Sequence, residues 1–175
     1  SHMPVAGSSL SDLAGFAEVD LGADFSAGGD TPDMGDVSAP LVFDAESAAL
    51  FARWYALAWQ VLDDVVVCLA PPAKASTIQL WPEHFDVGTS IDLGGGAGVN
   101  LGFSPGDGYV DDAYLYVGPW TADRPGGGDY WNASFGAVLQ RNDVVPTAHG
   151  QDHASVSCTQ FIREGLGRLS VALAN

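Results

Sequence analysis

The sequence predicts an α+β domain: an antiparallel sheet of about five strands, two long helices packed on one face, and an irregular N-terminal arm. Three observations carry this. Leu50, Trp54, Leu57, Ala58, Val61, Leu62 and Val65 recur at helical spacing between Asp44, a capping residue, and Pro71-Pro72, which ends the run. From Ser76 the pattern changes to period two, and the connections are too short for parallel crossovers. Near His153 or Ala154 helical spacing returns, with Val156, Phe161, Ile162, Leu166, Leu169 and Leu173 as its apolar stripe.

The elements follow in order. Residues 1–3, Ser-His-Met, read as a tag remnant, so His2 enters no functional argument. Residues 4–40 form the arm, rich in Gly, Asp, Ser and Pro; its stretch 28–36 is turn chemistry that does not match a calcium-loop pattern. Residues 41–175 form a single α+β domain. Strands are expected at 76–81, 86–93, 98–103, 113–118 and 130–139. Gly94-Gly95-Gly96 closes a hairpin, and 121–129 forms a loop before the last strand.

Composition excludes whole classes of function. The chain has 175 residues, 22 acidic against 6 basic, and a formal charge of −16. Such a surface repels phosphate backbones and anionic lipid, so neither a nucleic acid nor a membrane is an expected partner. Arg53, Gln60, Asp63 and Asp64 interrupt the most apolar stretch, which excludes a lipid-spanning helix there. No secretory signal is visible. Cys68 and Cys158, 90 positions apart, read as buried free thiols of a cytoplasmic protein, with a disulfide as the alternative.

Two segments are distinctive: Leu80-Trp81-Pro82-Glu83-His84-Phe85-Asp86, and residues 100–109 running on to Tyr114-Leu115-Tyr116-Val117-Gly118-Pro119-Trp120. With Asp129-Tyr130-Trp131-Asn132-Ala133 and Phe161-Ile162-Arg163-Glu164-Gly165, the chain resembles a family of conserved hypothetical proteins from high-GC Gram-positive bacteria over about residues 44–170. That family has no established activity, so the resemblance implies relatives and transfers no catalytic residue.

Chemistry concentrates in the middle of the chain. His84 and Asp86 stand two apart in expected extended chain, which puts them on one side of the sheet. An imidazole and a carboxylate so placed can ligate a divalent metal or act as a base and its orienting partner. The plainer alternative is a hydrogen-bonded histidine shaping a turn at Pro82. Glu83 and Asp92 are near enough in sequence to join them. Asp107 and Asp111, on a Pro- and Gly-rich loop with Asp112, complete a candidate metal set of His84, Asp86, Asp107 and Asp111; a solvated turn is again the plainer account.

Tyr114 and Tyr116 alternate with Leu115 and Val117 and so share a face. If the aromatics of adjacent strand ends join them, a ligand site of Trp81, His84, Asn100, Tyr114, Tyr116, Trp120 and Trp131 results, with Tyr130 and Asn132 nearby. The same wall could instead pack against Phe16 and Phe25 of the arm. His149 and His153 lie four apart around Gly150, which suits a loop and helix cap better than a metal pair. No nucleophile elbow or phosphate loop is present. The expected function is therefore a small-molecule-binding domain with an aromatic pocket on the open sheet face. The alternatives are a metal-assisted hydrolase or isomerase using His84 and Asp86, and an interaction module or homodimer.

Overall fold

The period-two segments do pair as one antiparallel sheet. The computed structural model describes residues 2–22, 34–82, 84–144 and 151–171, with the side chains of 151 and 152 left aside. Its elements are α1 (Leu10–Ala17), α2 (Ala45–Val66), β1 (Lys74–Ala75), β2 (Gln79–Trp81), β3 (Asp86–Gly94), β4 (Ala97–Ser104), β5 (Tyr114–Pro119), β6 (Ala137–Gln140), α3 (Arg141–Val144) and α4 (Gln151–Arg168). They fall into two units, Ser1–Ala52 and Arg53–Asn175, and α2 runs through the boundary.

The first unit is less irregular than its composition suggests. Ser9 and Asp12 form a reciprocal capping box: the Ser9 hydroxyl accepts from the Asp12 N–H at 3.1 Å, and the Asp12 carboxylate accepts from the Ser9 N–H at 2.9 Å. That box starts α1 inside the arm. Backbone bonds from Ser11 to Val37 and from Leu41 to Ser8 tie its start to residues 37–41. Asp44 then caps α2 as expected, accepting from the Ser47 N–H at 2.8 Å.

In the second unit the sheet order is β1-β3-β4-β5-β6, with β2 also paired to β3. Gly95 and Gly96, at φ +64° and +85°, make the two-residue turn between β3 and β4, a conformation that favours glycine. The expected strand at 76–81 shortens to β2, and the pairing with β3 begins earlier than expected, at β1. Ser76 takes the backbone of Ser90 with its own N–H and, through its hydroxyl, the Ser90 N–H, which separates β1 from β2. The expected strand at 130–139 shrinks to β6. Asn132 holds Val138 from outside by paired side-chain bonds of 2.9 and 2.8 Å, an amide doing the work of a further strand.

Cross-strand partners share a face, so register sorts the side chains. Val87, Ile91, Val99, Leu101, Phe103, Leu115, Val117 and Ala137 lie on one face and are all buried. Both long helices meet this face. Trp54 of α2 sits 5.0 Å from the Phe103 ring, and Gly165 of α4 backs directly onto Val117. Cys158 is buried here and Cys68 half-buried; both are free thiols, and burial pushes Cys158 up to about 12. Among the described residues no helix is long and apolar enough to cross a membrane.

Trp54 also donates its indole N–H to the Ser104 carbonyl at 2.9 Å. Trp54→Phe keeps most of the apolar contact and orphans that buried oxygen. It is expected to lower stability by about 1–3 kcal/mol, read as a lower urea midpoint at unchanged slope.

Candidate functional site

The other face carries Asp86, Gly88 and Ser90 of β3, Asn100, Gly102 and Ser104 of β4, and Tyr114, Tyr116 and Gly118 of β5. Glycines here leave room for rings. A Cβ on Gly102 would fall into the Tyr116 ring, and one on Gly98 into the Trp120 indole, so both rings lie across the sheet on glycine seats. Trp81, the partner of Asp86 across β2 and β3, brings its indole beside Gly88. Trp120 then donates to Asn100 Oδ1 at 2.7 Å, and Ser90 donates to the same oxygen at 2.9 Å. The Trp120 end of the face is filled by side chains bonded to one another, Trp120, Asn100 and Ser90.

The polar end differs. Tyr114 and Tyr116 stand with ring centroids 6.1 Å apart, and Phe135 stands edge-on to Tyr116. The Tyr114 hydroxyl donates to Asp107 Oδ2 at 2.6 Å. Asp107 Oδ1 accepts from the N–H groups of Tyr109 and Val110, the signature of an Asx turn. Burial works to raise the Asp107 pKa, but the Tyr114 hydroxyl and the two N–H groups outweigh it, and the carboxyl is held below its usual range. Burial, the Asp107 bond and nearby carboxyl charge hold Tyr114 well above the ordinary phenol range.

Asp86 is the opposite case. It is 7% exposed, and its Oδ1 is fully buried with no hydrogen-bond partner. Burial raises its pKa; the Tyr116 and Ser104 hydroxyls and His84 oppose the rise, and Asp107 adds to it. Tyr116 is pushed up in turn, by burial first and then by the Asp86 charge. Two neighbouring carboxyls are thus driven in opposite directions, an arrangement common where protons or charged groups are handled.

A clamped turn presents this cluster. Phe85 sits at φ +58°, a region that bulky side chains avoid, and the segment 84–85 is a turn rather than strand. Tyr55 of α2 fixes it, donating to the Phe85 carbonyl at 2.7 Å with its ring edge-on to Phe85 at 6.1 Å. Burial, with Asp86 adding, pushes the Tyr55 phenol up to about 12. The expectation that strand alternation aligns His84 with Asp86 is therefore corrected. The turn sets their relation, and exposed His84 lies within charge-interaction range of both Asp86 and Asp107.

Of the sequence-predicted site residues, Trp81, His84, Asp86, Asp107, Tyr114 and Tyr116 belong to this end of the face. Asn100 and Trp120 are bonded together at the other end. Trp131 is elsewhere: it packs against the helix-covered core beside Tyr130, which donates to the Phe161 carbonyl of α4, and its own N–H goes to Pro125. It was expected on the aromatic face because 130–139 reads as strand, whereas the strand observed there is only Ala137–Gln140.

The metal set is corrected as well. Among the described residues, no three His, Cys, Asp or Glu side chains are grouped to hold an ion. Both oxygens of Asp107 are already engaged, Asp111 is exposed, and Asp92 is exposed at the far end of β3, beside a separate hollow of about 320 Å³ shared with Lys74 and Pro72. Glu83 and His149 lie outside the described residues, and His153 is exposed on α4. Sequence reading missed Ser104, which looks like a turn residue before Pro105. Its parity with Asn100 and Gly102 was the available signal, and it is fully buried beneath Asp86 and Tyr114.

No protein-family model, no curated protein and no solved structure matches this chain.

Proposed function

We propose that the chain is a small-molecule-binding protein whose ligand seat is the polar end of the second sheet face, lined by Trp81, His84, Asp86, Tyr114 and Tyr116. One observation carries this: the buried, unpartnered Oδ1 of Asp86 among aromatic rings and hydroxyls. A buried acceptor without a donor is costly, and sites that violate local rules are where function concentrates. Aromatic walls with a few convergent polar groups are the usual makeup of such seats. The family resemblance supplies no activity to carry over, so the reading rests on this geometry.

A thermal-shift screen against a metabolite library, followed by amide-shift mapping of each hit, tests it. Hits are expected to raise the melting temperature and to move the amides of Trp81, Asp86, Ser104 and Tyr116. Asp86→Ala is expected to weaken such binding at least tenfold. A library with no hit, or hits mapping only to other surfaces, overturns the reading.

A further inference from the structure

The charge around Asp86 is one-sided. Among the described residues the ion pair is Arg168 with Glu164, and the guanidinium-over-ring contacts are Arg124 with Trp131 and Arg168 with Tyr130. Among the described residues no lysine or arginine pairs with Asp86 or lies over the rings of Tyr114, Tyr116 or Trp81. Among the described residues the basic group acting on Asp86 is His84, which is exposed on the turn and also acts on Asp107. A carboxyl that is nine-tenths buried beside a second, hydrogen-bonded carboxyl faces rings over which, among the described residues, no lysine or arginine lies.

We infer that this seat takes an organic cation, a protonated amine whose N–H groups satisfy Asp86 and whose charge rests against the half-buried rings of Tyr116 and Trp81. The inference rests on the binding-site reading above and names its ligand class. An ammonium group supplies the donor that Oδ1 lacks and the counter-charge that a buried carboxylate requires. Ring faces add about 0.5–2 kcal/mol each for a cation held near them. The net charge of −16 gathers cations at the surface and repels anions. An anionic ligand would meet Asp86 and Asp107 together. A neutral one would supply a donor and leave the charge uncompensated.

Three probes of matched shape decide it: 2-phenylethylammonium, 2-phenylethanol and 3-phenylpropanoate, each titrated into the full chain by amide-resolved NMR at pH 7 in 150 mM NaCl, where surface pairing is screened. The ammonium is expected to move the amides of residues 84–86, 104–107 and 114–116 saturably and at least tenfold more tightly than the alcohol, with no saturable shift from the carboxylate. Asp86→Asn is expected to erase that tenfold preference, and Asp63→Asn, on the exposed face of α2, to leave it intact. If the alcohol or the carboxylate binds the same residues as tightly, the cation inference fails while the seat stands. If none of the three moves these amides the inference fails, and the library screen decides separately whether the seat survives. The comparison on the unsubstituted chain decides even where a variant does not fold.

Discussion

Gly102→Ala is expected to destabilise the second unit by about 1–3 kcal/mol and to abolish binding at the polar end of the face, although it adds a single methyl group. The backbone at Gly102 is ordinary extended strand, so no conformational privilege of glycine is involved; the constraint is space. Its Cβ would occupy the position of the Tyr116 ring and hydroxyl. Tyr116 is its cross-strand partner, so the ring cannot escape by a small shift of a flexible end. Lifting it removes the hydroxyl that faces Asp86 and breaks the edge-on contact with Phe135. A chemical-denaturation midpoint and the amide map together read the effect. Gly167→Ala is the matched control: it lies on α4 with nothing near its Cβ, and it is expected to stabilise by about 0.5–1 kcal/mol. Adding Tyr116→Ala to Gly102→Ala is expected to recover part of the lost stability but not the binding, which separates the clash from loss of the seat. Unchanged stability and binding in Gly102→Ala would show that the ring is not held there.

Which side chains share a face was legible, because strand alternation is local. Val87, Ile91, Val99, Leu101 and Phe103 announce the covered face on their own. Which ring sits on which glycine was not, because it depends on register across the loop from Pro105 to Ala113. Only the pairing of Gly102 with Tyr116, and the Trp120 backbone bond to Gly98, reveals that glycine and aromatic are set opposite one another. The same limit hid Ser104, whose role comes from Trp54 and Tyr114 converging on it from distant positions. Helix α1 was legible in principle: Ser9-x-x-Asp12 is a capping signal, outweighed in reading by the surrounding glycines. Trp131 shows the converse error. An alternating pattern was read as strand where one asparagine amide replaces the ladder. His84 and Asp86 do act on one another, but strand alternation does not set their relation, since a left-handed Phe85 clamped by Tyr55 stands between them.

Asp86→Asn is expected to stabilise the unliganded protein at pH 7–8 and to lose that advantage on acidification. The carboxyl in the folded chain has its pKa raised, chiefly by burial. A group of this kind binds its proton more tightly folded than unfolded. Below the ordinary aspartate range of about 3.9 both states are protonated and the group contributes nothing to the pH dependence. As pH climbs through that value and on to the raised one, the unfolded chain ionises first, and stability falls until the folded carboxyl ionises too. The loss is complete above the raised pKa. The groups that face Asp86 are His84 on the turn, Ser104 on β4, Asp107 on its loop, Tyr114 and Tyr116 on β5, and Tyr55 on α2. The phenols stay neutral across this window, since each is held above its ordinary value. The Asp107 carboxyl is held below its usual range, so the difference between parent and variant reports Asp86 together with its coupling to His84 and Asp107. A buried polar atom left without a partner, as Oδ1 of Asp86 is, costs about 1–3 kcal/mol, and each kcal/mol moves the melting temperature by roughly 2–4 °C for a chain of this length. Melting curves of both proteins from pH 3.5 to 8 are expected to run together at the acid end and to separate upward, with the asparagine form the more stable. A constant gap, or an asparagine form that is less stable at pH 8, would mean that Asp86 is already compensated in the free protein. A saturating amine should close the gap at pH 7–8 by stabilising the parent alone, tying the cost that Asp86 imposes on folding to the ligand that relieves it.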